Sequence, residues 1–139
     1  MDDNAELTVN VVTPDGSVYE KNSDMVICKT TQGEIGILPN HVPLLASLAI
    51  DEIRVRQDDG TFDEVAVSGG FLEFSDNNLS IVASAAERKE DIDSKRAERA
   101  RERAQKRIEK AKQAHNPDDL KRAEVSLRRA LNRLDISSH

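Results

Sequence analysis

The chain has 139 residues, 37% of them apolar and 33% charged, with 20 Lys and Arg against 26 Asp and Glu for a net charge of -6. That length is a prior for one domain or two very small ones. The longest mostly apolar stretch, residues 43–50, falls far short of the roughly 20 residues that span a bilayer, so no transmembrane helix is expected. Residues 1–10 carry three acids and no basic lead segment, so a secretory signal is not expected either. A single cysteine, Cys28, excludes an internal disulfide framework. Beside Val26 and Ile27 it reads as a small buried hydrophobe, and cytoplasmic exposure is the simplest expectation.

The averages conceal a break near residue 86. Residues 1–86 carry 15 acids and 4 bases, whereas residues 87–139 carry 11 acids and 16 bases. All six glycines, the three phenylalanines and the one tyrosine precede the break. Leu7, Val9 and Val11 alternate with polar residues before a turn at Pro14-Asp15-Gly16. Met25 to Thr31 is a second β-branched run, closed by Gln32-Gly33-Glu34. Ile53 and Val55 lead to Asp58-Asp59-Gly60. Phe62 to Val67, a turn at Ser68-Gly69-Gly70, Phe71 to Phe74, Asp76-Asn77-Asn78 and Leu79 to Ser84 complete the series. Turn signals at this spacing with period-2 alternation predict a β-sandwich or barrel over residues 1–86.

Residues 87–139 predict an antiparallel two-helix hairpin. Ala97, Ala100, Ala104, Ile108 and Ala111 form a narrow apolar stripe at helical spacing, with Asp91 or Asp93 as the cap. His115-Asn116-Pro117-Asp118-Asp119 ends one helix and begins the next, Asn116 capping and Pro117 fitting the first turn. The second stripe is Leu120, Ala123, Leu127, Ala130 or Leu131, and Leu134. An Ala methyl removes little area from water beside the ~1.5–3 kcal/mol of a buried Leu or Ile. Most helical stability comes from packing an amphipathic face, so this hairpin is expected to be marginal unless it docks on the β module, on a partner, or on each in turn.

No catalytic constellation is present. His41, His115 and His139 have no zinc-site spacing, and neither a Walker A loop nor G-x-G-x-x-G occurs. Nucleic acid is a poor partner for an acidic first segment and a second one without aromatics. In an antiparallel hairpin turning near His115, Arg96 comes opposite Arg133 and Arg103 opposite Arg129, with Glu87 and Asp93 at the same end. Four guanidinium groups then either converge on an anion such as phosphate, which suits their forked donors, or point separately to solvent.

Several stretches resemble the epsilon subunits of bacterial F-type ATP synthases over nearly the whole chain: Val11-Val12-Thr13-Pro14-Asp15-Gly16, Gly33-Glu34-Ile35-Gly36-Ile37-Leu38-Pro39, His41 with Pro43-Leu44, Ser68-Gly69-Gly70-Phe71-Leu72-Glu73, and Ala86-Glu87-Arg88 with Ile92-Asp93. Asn40 stands where that family often has Gly, and Asn tolerates left-handed backbone better than most residues. The resemblance implies a non-catalytic rotor subunit, peripheral on the cytoplasmic face of the bacterial cell membrane, that couples proton flow to ATP synthesis. Its sandwich would bind the gamma subunit and the c ring, the latter near Glu34 and His41, and membrane association would come only through the complex. The family's hairpin extends into the catalytic alpha/beta head to block ATP hydrolysis. Some members bind ATP in the folded hairpin, and Ile92-Asp93-Ser94-Lys95-Arg96-Ala97 matches their motif, with Glu87, Arg103, Arg129 and Arg133 at the accompanying positions. No cofactor is required, ATP being a regulatory ligand. The alternative expectation is a purely structural adaptor whose hairpin stays docked.

Overall fold

Strict alternation of large aliphatic side chains commits the first half of the chain to strands with one buried face. In the computed structural model, which describes residues 5–139, the acidic run read at residues 1–10 begins outside the described residues. Eight strands form: β1 (Leu7–Thr13), β2 (Gly16–Ser23), β3 (Val26–Thr30), β4 (Gly33–Ile37), β5 (Leu44–Arg56), β6 (Phe62–Ser75), β7 (Asn78–Ala83) and β8 (Ala86–Arg88). The strand order is β2-β1-β7-β6-β5-β3-β4, with β8 also pairing β6. β1 and β7 run parallel, Val9 opposite Leu79 and Val11 opposite Ile81.

Long, bent β5 and β6 belong to both layers of the sandwich. Residues 44–48 of β5 pair with 70–74 of β6, next to β7, while residues 50–56 pair with 62–68, next to β3 and β8. Leu7, Val9, Val11, Leu72, Phe74, Leu79 and Ile81 from one layer and Val26, Cys28, Ile53, Val55, Val65 and Val67 from the other bury into a single core. Tyr19 donates from its hydroxyl to Asp63 Oδ2 at 2.8 Å, joining β2 to the start of β6.

One expectation changes here, and one strand was not expected. Ser68-Gly69-Gly70 is no turn between two strands: β6 is one strand of 14 residues, and the glycines lie where it crosses between layers. Gly70 has φ 131°, and a Cβ there would come within 2.0 Å of the Val82 carbonyl oxygen, so a close backbone approach rather than a reversal explains the glycine. β2 is largely polar (GSVYEKNS) and lies at an edge of the sheet, so its alternation carries little signal.

The chain divides into two units between Lys89 and Glu90, three residues beyond the break expected at 86. Ala86, Glu87 and Arg88 pair with β6 at Val67, Ala66 and Val65 and so belong to the sheet. The second unit holds α1 (Ser94–Gln113) and α2 (Pro117–Ser137). Asp93 caps α1, accepting from the Arg96 backbone N–H at 3.1 Å, and Asn116 caps α2, accepting from Asp119 N–H at 3.2 Å. Ala97, Ala104 and Ala111 of α1 and Ala123 and Ala130 of α2 are buried at seven-residue intervals, the antiparallel seam expected from the stripes.

Candidate functional site

Apolar residues are concentrated on one part of the sandwich surface. Alternation in β6 puts Leu72 and Phe74 in the core and turns Phe71 outward. Phe71 pairs with Val82 on β7, and Val82 with Val12 on β1, making an apolar row across three strands of the outer face. Leu45, 72% exposed, sits nearby on β5, and Val42, 70% exposed, precedes it in the loop after β4 with exposed Leu38. Glu34, Ile35, Leu45 and Phe71 line an open groove of about 870 Å³ that runs from the β3–β4 turn to the start of β5. Singly exposed apolar residues are ordinary, but a cluster of them marks an interaction surface.

The two residues expected at an interface lie beside this patch. Glu34 is exposed on β4 with its carboxylate 3.5 Å from Arg54 Nη2. Arg54 also stands 5.4 Å over the Phe62 ring and 3.8 Å from Glu52, which lies 3.7 Å from Lys29. His41 sits in the loop with Nδ1 2.7 Å from the Val42 carbonyl and its ring edge-on to Phe74 at 5.9 Å. Sequence reasoning missed Val42, Leu45, Phe71 and Val82. The phase of alternation in Phe71-Leu72-Glu73-Phe74 carries the signal for Phe71, since only one phase can face the core.

The hairpin presents a contrasting surface. Arg107 Nη1 donates to Ser126 Oγ at 3.4 Å and so fixes the pairing of the two helices. By that register Arg103 lies opposite Ala130, next to Arg129, and Arg133 comes level with the span between Arg96 and Arg103. At 1.5 Å per residue the four arginines occupy about 12 Å of hairpin length. Arg96, Arg103 and Lys110 each precede a buried alanine of α1 by one position, and Arg122 and Arg129 do so on α2; all five are exposed. One step along a helix is a rotation of about 100°, and antiparallel pairing brings those positions to the same flank of the hairpin. Glu98, Glu102, Glu109, Glu124 and Asp135 fall on the other side. One flank of the hairpin therefore carries a row of exposed bases, with Asp119 beside Arg107 and Lys110 there and Arg101 paired with Glu98 on the other side.

The expected ATP ligands divide by role. Arg96, Arg103 and Arg129 stand exposed on the basic flank, with half-buried Arg133 between them along the axis. Asp93 is engaged as the α1 cap, and the bond from the Arg96 N–H, helped by the Arg99 and Arg96 charges, holds its carboxyl below the usual carboxylate range. Ala97 is buried in the seam, where only a small side chain lets the helices approach, and Ile92 is half-buried ahead of α1. Glu87 belongs to β8 in the sandwich unit. Among the described residues no helix is long and apolar enough to cross a membrane.

Together these features define a two-unit protein: a β-sandwich with an exposed apolar patch, followed by a helical hairpin with a basic flank. The family model for the beta-sandwich domain of ATP synthase delta/epsilon chains matches residues 6–89, and that for their long alpha-helix domain matches residues 90–138. The ATP synthase epsilon chain of Ligilactobacillus salivarius is 73% identical over the full length of both chains, and that of Levilactobacillus brevis is 53% identical over 99% of each. A chain in the cryo-EM structure of the Euglena gracilis mitochondrial ATP synthase, OSCP/F1/c-ring, is similar in fold at a TM-score of 0.79 and 22% identity, over 100% of this chain and 85% of that one. The chain belongs to the ATP synthase delta/epsilon family, as a non-catalytic epsilon-type subunit of the F-type central stalk.

Proposed function

We propose that the sandwich attaches this subunit to the rotor and that the hairpin regulates the enzyme according to ATP. The sandwich docks on the gamma subunit through the outer apolar row and on the c ring through the loop bearing Leu38, His41 and Val42, beside Glu34. In this way it transmits rotation, and thereby proton flow, to ATP synthesis. The complex holds the subunit peripherally at the cytoplasmic face of the cell membrane. The hairpin extends into the alpha/beta head and inhibits ATP hydrolysis, its basic flank meeting acidic surfaces there. ATP bound by Arg96, Arg103, Arg129 and Arg133 retains the folded hairpin, to the extent that it binds that state better than the extended one.

The observation that carries this reading is the row of exposed bases on a hairpin whose fully buried seam positions repeat alanine, with the larger Ile108, Leu120, Leu127 and Leu134 only half-buried. Such a seam holds the helices together weakly enough to exchange partners, and the basic flank supplies a reason to do so. ATP titration by calorimetry on the full chain is expected to give saturable heat that Arg133→Ala and Arg96→Ala abolish. Deleting residues 90–139 is expected to raise ATP hydrolysis by the assembled enzyme. No heat at millimolar ATP ends the sensor role, and unchanged hydrolysis after deletion ends the inhibitory one. A hairpin that never crosslinks to gamma or to the head at low ATP leaves a structural adaptor.

A further inference from the structure

The exposed apolar loop at residues 38–43 is fastened at its centre. The Asn40 backbone N–H donates to Asn77 Oδ1 at 2.6 Å, and Asn77 Nδ2 donates back to Asn40 Oδ1 at 3.1 Å. Asn77 sits in the β6–β7 turn, and its own carbonyl accepts from Thr8 N–H on β1 at 2.8 Å. Both asparagines have left-handed backbone, φ 67° at Asn40 and 60° at Asn77, a conformation that Asn reaches more easily than other side chains. Within the loop the His41 N–H donates to the Leu38 carbonyl at 3.1 Å. Leu38 and Val42 flank this clamp and remain exposed.

We propose that the reciprocal Asn40–Asn77 amide pair presets the loop 38–43 for docking, so that Asn77 is a positioning residue for attachment to the rotor. The inference rests on the proposed docking of that loop. Ordering a loop when it binds costs free energy that a preset loop does not spend. Asn77 supplies both an acceptor and a donor, on a turn tied to β1, whereas Asn40 supplies the corresponding groups from the loop itself.

The test is the affinity of full-length variants for the ATP synthase complex stripped of this subunit. Val42→Ser and Leu45→Ser report whether the patch docks at all. Asn77→Gly keeps the left-handed backbone and removes both side-chain bonds. It is expected to weaken binding roughly five- to tenfold, the cost of ordering the freed loop on binding, while the freedom the loop regains offsets most of the lost bonding and keeps the melting temperature of the sandwich within about 2–4 °C of the parent. Asn77→Asp, whose carboxylate accepts from the Asn40 N–H and from a rotated Asn40 amide, is expected to restore most of the affinity. Adding Asn40→Gly to Asn77→Gly is expected to cost little more, because both act on one pair. Full affinity in Asn77→Gly while the serine variants bind weakly overturns the clamp alone. A loss that tracks a lower melting temperature makes the pair merely structural and also overturns it. Full affinity in the serine variants removes the docking reading, and the clamp's role with it.

Discussion

The sandwich and the hairpin are both held by buried apolar seams, but they bury different things. The sandwich core contains Phe74, Leu7, Ile37, Ile53, Leu72, Leu79 and Ile81, all buried almost completely. The repeating seam of the hairpin is Ala97, Ala104, Ala111, Ala123 and Ala130. A fully buried Leu, Ile or Phe is worth about 1.5–3 kcal/mol, whereas an Ala methyl contributes a small fraction of that. The lesson is that seam size can separate a platform meant to stay folded from an arm free to change partners. Charge follows the same division, acidic on the platform and basic along one flank of the arm.

Substitutions test this contrast, beginning with the largest effect. Phe74→Ala empties a fully buried site of the sandwich core near the β6–β7 turn and is expected to cost about 3–5 kcal/mol, read as a lower urea midpoint followed through β-sheet circular dichroism. Gly70→Ala forces a Cβ against the Val82 carbonyl on a backbone of φ 131° and is expected to cost about 1–3 kcal/mol or more in the same assay. If either leaves the midpoint unchanged, the sandwich is not the rigid half.

The pH dependence belongs to the platform as well. Burial pushes the Cys28 thiol from 9.0 up to about 12. The folded state keeps the proton that the unfolded chain releases, so this contribution is complete below pH 9.0 and is lost as pH rises toward 12. At pH 10 the loss is about 1.4 kcal/mol. Cys28→Val is expected to flatten that alkaline slope, and native Cys28 is expected to resist alkylation at pH 8 until the sandwich unfolds.

In the hairpin the effects shrink. Ala104→Gly is expected to cost about 1 kcal/mol of helix stability, seen as earlier loss of helical signal on heating while the sandwich transition stays in place. A matching fall in both transitions would show that the halves do not melt separately. Arg103→Ala is expected to change stability by less than about 0.5 kcal/mol, as exposed substitutions usually do, while weakening ATP binding. Stability loss in that variant would mean that Arg103 is structural.

Much of this was legible in the sequence because periodicity is a local property. Alternation at Leu7, Val9 and Val11 named core residues, the stripe at Ala97, Ala104 and Ala111 named the seam, and Asn116-Pro117 named the second helix start. The glycines at 69 and 70 misled because a turn and a close strand approach use the same residue for different reasons. The apolar patch was harder: Phe71, Val82 and Val12 come from three strands and become a row only through register.

By itself the sequence determined the break in charge, the β-then-α order, the helix caps and the weakness of the hairpin seam, since each depends on neighbours within a few turns or a few strand positions. Tertiary structure decided the parallel pairing of β1 with β7, the passage of β5 and β6 between layers, and the place of Ala86–Arg88 in the sheet. It also decided that Asn40 and Asn77, 37 residues apart, meet as an amide pair. Pairings across such distances depend on how strands close around one shared core, which local spacing does not encode.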